Sequence, residues 1–247
     1  MDQKEEKAWF QDWFSSPYYG MLYLHRNDHE AHFLIQNLVE KSILKRGEAV
    51  LDLACGNGRH SRYLAEMGLK VSGIDLSPEQ IAEAKEQSSS EILYYVGDMR
   101  SFSLGISFDV IVNLFTSFGY FETREENLKV LSCVRDHLRV GGIFVLDYFN
   151  ADLVRAGLPL KGETQVGSIR ITHYKHILHN MVVKDIDVED GGEHHYFREK
   201  VQLIGFSDFS TLLDEAGFEV LHTFGAYSLE PFEAGKSDRL ILIAKRR

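Results

Sequence analysis

Apolar residues recur along this chain in two rhythms, and the change near Glu48 divides it. Before that point the spacing is helical. In "KAWFQDWF" the residues Trp9, Phe10, Trp13 and Phe14 fall at i, i+1, i+4 and i+5, on one helix face. "SSPYYG" interrupts, because Pro17 disfavours helix at the residue before it. "DHEAHFLIQNLVEKSIL" resumes with a stripe of Phe33, Leu34, Asn37, Leu38 and Lys41, and Gly47 ends it.

Beyond Glu48, short apolar runs alternate with amphipathic stretches. "AVLDLA", "KVSGIDLS", "EILYYVGD", "FDVIVNLF" and "GIFVLDYFN" read as strands. "GRHSRYLAEMG", "SPEQIAEAKEQ" and "REENLKVLSCVRDHLRVGG" read as the helices between them, the second capped by Ser77 with Pro78 in its first turn. Nearly continuous apolar strands alternating with helices predict a parallel sheet covered on both faces. After Asn150 the pattern becomes "SIRITHYKHI", "MVVKDIDVED" and "HHYFREKVQLI", separated by the turn signals "HN" and "DGG". That predicts a three-stranded antiparallel meander over residues 164–204. A helix "FSDFSTLLDEAGF" and two strands, "EVLHTFGAY" and "DRLILIAKRR", follow. The expectation is one α/β domain over 1–247, with a helical cap over 1–46 and a β insertion over 164–204. The insertion reads either as a lid on a bound small molecule or as a homodimer surface built by edge-strand pairing.

Composition narrows this. The net charge of −10 would repel a phosphate backbone, and "AKRR" is too short a basic tract to reverse that, so nucleic acid is an unexpected partner. No apolar run approaches the roughly 20 residues a membrane span needs, and "MDQKEEKAWF" lacks the apolar core of a secretory signal, so a cytoplasmic location is expected. Cys55 and Cys133 stand in unrelated contexts and read as packing residues; no metal-ligand spacing such as CxxC or HExxH occurs, and no metal site is expected.

The chemistry concentrates in "VLDLACGNGRHS", Val50 to Ser61. A strand carrying Asp52, then glycines at 56 and 58, then a helix starting near Arg59 lets backbone approach a ligand closely. A dinucleotide fingerprint asks for a third glycine where Ser61 stands, and the Asp52 carboxylate would repel a phosphate while suiting an amine or hydroxyl. Asp75, at the end of the second strand in "GIDLS", can accept both hydroxyls of a ribose. Asp98 beside Met99, in "GDMRSF" after the third strand, offers a carboxylate and an apolar face of the kind that holds an adenine.

In order and spacing, "VLDLACGNGRH", "GIDLS", "GDMRSF" and "FDVIVNLFTSFGYF" resemble the class I S-adenosylmethionine-dependent methyltransferases across residues 48–150. The resemblance implies a doubly wound α/β fold, its seven-stranded sheet parallel except for the last strand. It implies S-adenosyl-L-methionine as cofactor, with Ala54, Gly56, Gly58 and Arg59 along the methionine part and Asp52 acting on its amine. Asp75 would take the ribose, Asp98, Met99 and Leu76 the adenine, and Asn113 with Leu114 would close the pocket. "DWFSSPYYGMLYLHRNDHEA" looks like the cap of small-molecule members, among them sugar-amine and glycine-type N-methyltransferases; Tyr18, Tyr19, Tyr23 and Arg26 are its candidates for reaching the cofactor.

The implied reaction is methyl transfer to nitrogen or oxygen of a small molecule, which demands alignment and exclusion of water more than a dedicated base. Tyr120, Tyr148 and Asn150 are candidates for lining an acceptor pocket. His173, His176, His194 and His195 are candidates for a base, although histidines on a half-exposed sheet are more often simply solvated. An NAD-dependent oxidoreductase and a non-catalytic cofactor-binding protein are the competing readings. A nucleic-acid methyltransferase is disfavoured by charge and by "NLFTSF", where an N/D-P-P-Y/F/W motif would stand.

Overall fold

Apolar runs bounded by glycine and proline become strands, and the amphipathic stretches between them become helices. In the computed structural model, which describes residues 9–23 and 28–247, the chain begins with α1 (Trp9–Phe14), α2 (Pro17–Leu22) and α3 (Asp28–Glu40). The alternating region follows as β1 (Ala49–Leu53), α4 (Arg59–Glu66), β2 (Lys70–Asp75), α5 (Pro78–Gln87), β3 (Leu93–Val96), β4 (Phe108–Asn113), α6 (Arg124–His137), β5 (Leu138–Phe149) and α7 (Ala151–Gly157). Then come β6 (Leu160–Val166), β7 (Ile169–Leu178), β8 (Met181–Asp190), β9 (Glu193–Gln202), α8 (Phe206–Glu215), β10 (Phe218–Phe224) and β11 (Arg239–Arg246).

Seven strands form one sheet in the order β10-β11-β5-β4-β1-β2-β3, in which only β11 runs antiparallel to its neighbours. This is the doubly wound, mostly parallel α/β sheet expected. The chain winds outward from β1 through β2 to β3, then returns to β4 on the other side of β1. A crevice opens beyond the carboxyl ends of strands at such a reversal. Leu51, Ile111 and Phe144 pack on one face with α6 and α8, and Val50, Val110 and Val145 on the other with α3, α4 and α5.

The insertion is a separate antiparallel sheet, β6-β7-β8-β9. It has four strands, not three: β6 escapes a periodicity reading because "LKGETQV" alternates only between exposed and half-buried positions at a sheet edge. Its tight turns use left-handed pairs, His179–Asn180 and Gly191–Gly192, which match the twist of the flanking strands. Ile171, Ile186 and Val188 on its inner face enclose Trp13 and Leu22, so cap and insertion share a small core of their own.

Three local expectations change. Pro17 does not merely interrupt: it opens α2 at the first helical position, with Ser16 accepting the Tyr18 N–H at 3.2 Å. Phe33 is exposed, because α3 turns Ala31, Leu34, Ile35 and Leu38 inward. Helix α6 stops at His137, and the glycine pair it was expected to end on lies inside β5. There a Cβ on Gly142 would sit 2.8 Å from the Arg139 carbonyl.

Candidate active site

The β1–α4 turn is built by left-handed backbone at Ala54 (φ 61°), Gly56 (54°) and Gly58 (77°). At Gly58 even the space is forbidden to a side chain: a Cβ would lie 2.3 Å from the Tyr94 hydroxyl oxygen. Two carboxylates hold the turn. Asp52, buried, accepts the Ser61 hydroxyl at 2.6 Å, which explains why serine stands where a dinucleotide fingerprint has glycine. Asp75 accepts the N–H of Gly56 at 2.8 Å and of Ser77 at 2.9 Å. Burial pushes the Asp52 carboxyl up to about 7; the Ser61 hydroxyl pulls against this and neighbouring Asp75 adds to it. Burial also raises Asp75, against the backbone N–H groups of Ser77, Gly56 and Leu76. Cys55 is buried, and desolvation with Asp52 and Asp75 nearby holds its thiol well above the ordinary range, so it packs rather than reacts.

A mostly apolar slot lies at the ends of β2 and β3, lined by Phe14, Leu76, Met99 and Phe121 together with Asp75 and Asp98. Asp98 is engaged by a residue the motif did not single out. Arg100 donates to it through Nε at 3.1 Å and Nη2 at 2.6 Å, reaches Glu126 at 2.7 Å, and lies over the Phe121 ring at 4.4 Å. Burial alone would raise Asp98, but Arg100 outweighs it and leaves the carboxyl below its usual range.

The turn also walls a cleft of about 640 Å³, bounded by Tyr19, Tyr23, Arg59, His60, Leu114, Phe115 and Tyr120. A third cavity of about 250 Å³ lies between the cap, the main sheet and the insertion; Phe149, Lys175, Lys184, Glu199 and Arg239 line it. Tyr120 borders all three cavities. Its loop is tied to the insertion by Gln202, whose N–H donates to the Gly119 carbonyl at 2.8 Å and whose amide donates to the Glu122 carbonyl at 3.0 Å.

Between cleft and third cavity, Phe115 (φ 57°) and Thr116 (φ 64°) are consecutive left-handed residues. For an aromatic and a β-branched side chain this costs on the order of 1–3 kcal/mol each. Asp147, fully buried, holds the pair: its carboxylate takes the Phe115 N–H at 2.8 Å and its carbonyl the Thr116 N–H at 3.0 Å. Arg239 from β11 closes the arrangement, donating to Asp147 at 2.8 Å and to the Thr116 hydroxyl at 3.0 Å.

The structure thus brings Asp52, Ala54, Gly56, Arg59, Asp75, Leu76, Asp98, Met99, Leu114, Tyr19, Tyr23 and Tyr120 to three cavities that share lining residues, whereas Gly58 of the same turn lines none of them. Others fall elsewhere. Asn113 is buried and donates to the Leu53 carbonyl at 2.9 Å, bracing β4 against β1 without lining a cavity. Tyr148 points into the core against Phe209, its hydroxyl donating to the Gln202 carbonyl at 2.6 Å. Asn150 caps α7 and donates to the carbonyls of Ala234 and Ser237. Tyr18 bonds Asp190 at 3.0 Å, away from the cleft, and Arg26 lies outside the described residues. His173 reaches no cavity shared with the glycine turn: it packs over Gly162, and burial with Lys184 and Lys175 nearby lowers it to about 4. His176 and His194 sit on the opposite, outer face beside Asp185 and Asp187, and His195 packs on Tyr18. Among the described residues no group of three or more His, Cys, Asp or Glu is arranged to hold a metal.

Residues 50–142 match the family model described as a methyltransferase domain. The chain is 28% identical over 239 residues to the dTDP-3-amino-3,4,6-trideoxy-alpha-D-glucopyranose N,N-dimethyltransferase of Streptomyces venezuelae, covering 91% of this chain and 94% of that one. It is 34% identical over 134 residues to the glycine/sarcosine N-methyltransferase of Aphanothece halophytica, covering 52% and 49%. The fold is shared with an S-adenosylmethionine-bound amino pentose methyltransferase from Micromonospora echinaspora (TM-score 0.70, 20% identity, 94% of this chain and 98% of that one). Over residues 50–142 the chain is thus similar to methyltransferase domains, and its fold is the one shared by S-adenosylmethionine-dependent methyltransferases.

Proposed function

We propose that this enzyme is an N-methyltransferase of small amines, amino sugars foremost. The relative that aligns over nearly the whole chain is named for a dTDP-linked amino sugar, and a shorter match for glycine and sarcosine. The observation that carries the reading is Tyr120, where the apolar slot, the turn-lined cleft and the third cavity meet.

The residues present fit the cofactor. The slot lined by Leu76, Met99 and Phe14 suits a flat adenine, with Asp75 at the ribose position and Asp98, paired with Arg100, also lining it. The cleft carries Asp52 and Glu83, which suit a cationic methionine end, and the left-handed glycine turn lets backbone approach it. S-adenosylmethionine supplies an electrophilic methyl group on a positively charged sulfur. The protein aligns the nucleophile and keeps water out: Phe14 of the cap, Phe149 at the end of β5, and Val182 and Val201 of the insertion wall the third cavity. This makes the insertion the acceptor-side lid. The two free thiols suit a reducing cytoplasm.

Calorimetric titration with S-adenosylmethionine, S-adenosylhomocysteine and NAD tests the donor site. Binding of the first two and not the third is expected; binding of NAD alone would refute the reading. A homodimer through the insertion is a second reading, favoured by Tyr196 standing 74% exposed on its outer face. Sedimentation of Tyr196→Glu against the parent distinguishes it: a dimer there dissociates, and a lid is unaffected.

A further inference from the structure

The third cavity contains a charged set that simple packing does not call for. Lys184, 5% exposed, lies 3.7 Å from Glu199 across β8 and β9. Taking two charges out of water costs several kcal/mol per ion before their attraction is counted, so such a pair is a poor way to gain stability. Around it the cap closes tightly. Trp13 Nε1 donates to Glu199 Oε1 at 2.6 Å, the Tyr23 hydroxyl reaches Glu199 at 2.6 Å, and Lys184 Nζ meets the same hydroxyl at 2.9 Å.

The chemistry of these partners fixes where the Tyr23 proton lies. An ammonium can only donate and a carboxylate can only accept. Lys184 therefore donates to the Tyr23 oxygen, and Tyr23 donates its own proton to Glu199. Tyr23 also borders both the cleft beside the glycine turn and the third cavity, so its oxygen stands where donor and acceptor sides meet. The other titratable and charged groups around Glu199 are Lys175 and the neutral His173 on β7, with Arg239 of β11 lining the same cavity.

Resting on the N-methyltransferase reading, we propose that Tyr23 and Glu199 form the proton relay that readies the acceptor amine. An amine enters largely as its ammonium, which has no lone pair with which to attack. Its N–H bond breaks toward the Tyr23 oxygen as the Tyr23 O–H bond breaks toward Glu199. The result is a neutral amine, an unchanged phenol and a protonated carboxyl. The proton leaves Glu199 for water when the product departs. Tyr23 touches the substrate and is the catalytic residue; Glu199 acts through it and, with Lys184, positions it.

The test measures methyl transfer from S-adenosylmethionine to D-glucosamine, glycine and sarcosine by the full-length enzyme, Glu199→Gln and Tyr23→Phe, from about pH 6 to about pH 9. Both variants are expected to lose about 10²-fold or more in kcat with KM little changed. Wild-type kcat should stay level as pH falls below the amine's own pKa, whereas in the variants it should drop about tenfold per pH unit, following the free amine. A second readout needs no turnover. Calorimetry of D-glucosamine binding to the S-adenosylhomocysteine complex, in buffers of different ionisation heat, should show no net proton release for wild type and release for Glu199→Gln. Tyr23→Phe keeps the ring that Lys184 overlies at 4.4 Å, so it decides the matter if Glu199→Gln fails to fold. Variants with wild-type kcat and a level pH profile overturn the relay. So does a wild type that binds cofactor but methylates none of the three amines. Failure of the wild type to bind S-adenosylmethionine would instead refute the donor-site reading.

Discussion

Asp52 is a buried carboxyl whose ionisation the fold opposes, which makes Asp52→Asn an informative perturbation. Burial pushes its carboxyl from an ordinary 3.8 up to about 7. The difference between the two values is worth on the order of 4 kcal/mol, at about 1.4 kcal/mol for each tenfold change in proton affinity. Between those two values the folded protein holds a proton that the unfolded chain has released. The associated stability is therefore complete below pH 3.8 and lost as pH rises through about 7. Asparagine keeps an oxygen to accept the Ser61 hydroxyl and carries no charge at any pH. The variant should match wild type near pH 4 and exceed it by up to about 4 kcal/mol above pH 8. Urea unfolding at those two pH values measures this. An equal difference at both, or a wild type favoured at high pH, would refute the argument. Cofactor affinity should move the other way: S-adenosylmethionine should bind wild type more tightly as pH rises through 7 and the carboxylate forms beside its cationic end, and Asp52→Asn should bind it weakly at every pH.

Asp75→Ala should weaken S-adenosylmethionine binding at least about tenfold by calorimetry, since each lost charge-assisted hydrogen bond is worth roughly 1.5–3 kcal/mol. Gly58→Ala forces a Cβ against Tyr94 at φ 77° and should cost on the order of 2–4 kcal/mol in urea unfolding. Asp147→Ala removes the buried partner of Arg239 and of the Phe115 N–H; a loss of about 3–5 kcal/mol is expected, with acceptor KM raised in any residue that folds. Burial keeps the His173 ring neutral, its value lowered from 6.5 to about 4, so its contribution is complete above 6.5 and lost as pH falls toward 4. Melting temperatures of His173→Gln should therefore fall less steeply than those of wild type across that window.

The sheet and the glycine turn are legible because each rests on neighbours in sequence: β1, β2 and β4 are short runs rich in apolar or small residues between helical stretches, and Asp52, Ala54, Gly56 and Gly58 lie within seven residues. Side-chain direction is harder to read. Tyr148 and Asp147 are adjacent on β5, and alternation sends the tyrosine into the core beside Phe209 and the carboxylate to the Phe115–Thr116 turn. Tyr148, expected at the acceptor pocket, is the one turned away into the core. Lys184 and Glu199 look like the solvated positions of alternating strands, because what buries them is Trp13 and Tyr23, more than 150 residues away along the chain. Arg100 was hidden differently: it stands beside Met99, and only the fold shows that it occupies Asp98.

Arg239 belongs to the last of the seven main-sheet strands to be synthesised, yet it holds in place a turn that lies 123 residues earlier. During translation, β1 to β5 can emerge and pair in their parallel register while β11, which belongs between β5 and β10, is still inside the ribosome. Until it inserts, Asp147 lacks its guanidinium and Phe115 and Thr116 lack their clasp. The wall of the third cavity is therefore completed only once β11 has emerged, and a nascent chain stalled before Arg239 would carry the glycine turn beside an unfinished Phe115–Thr116 turn.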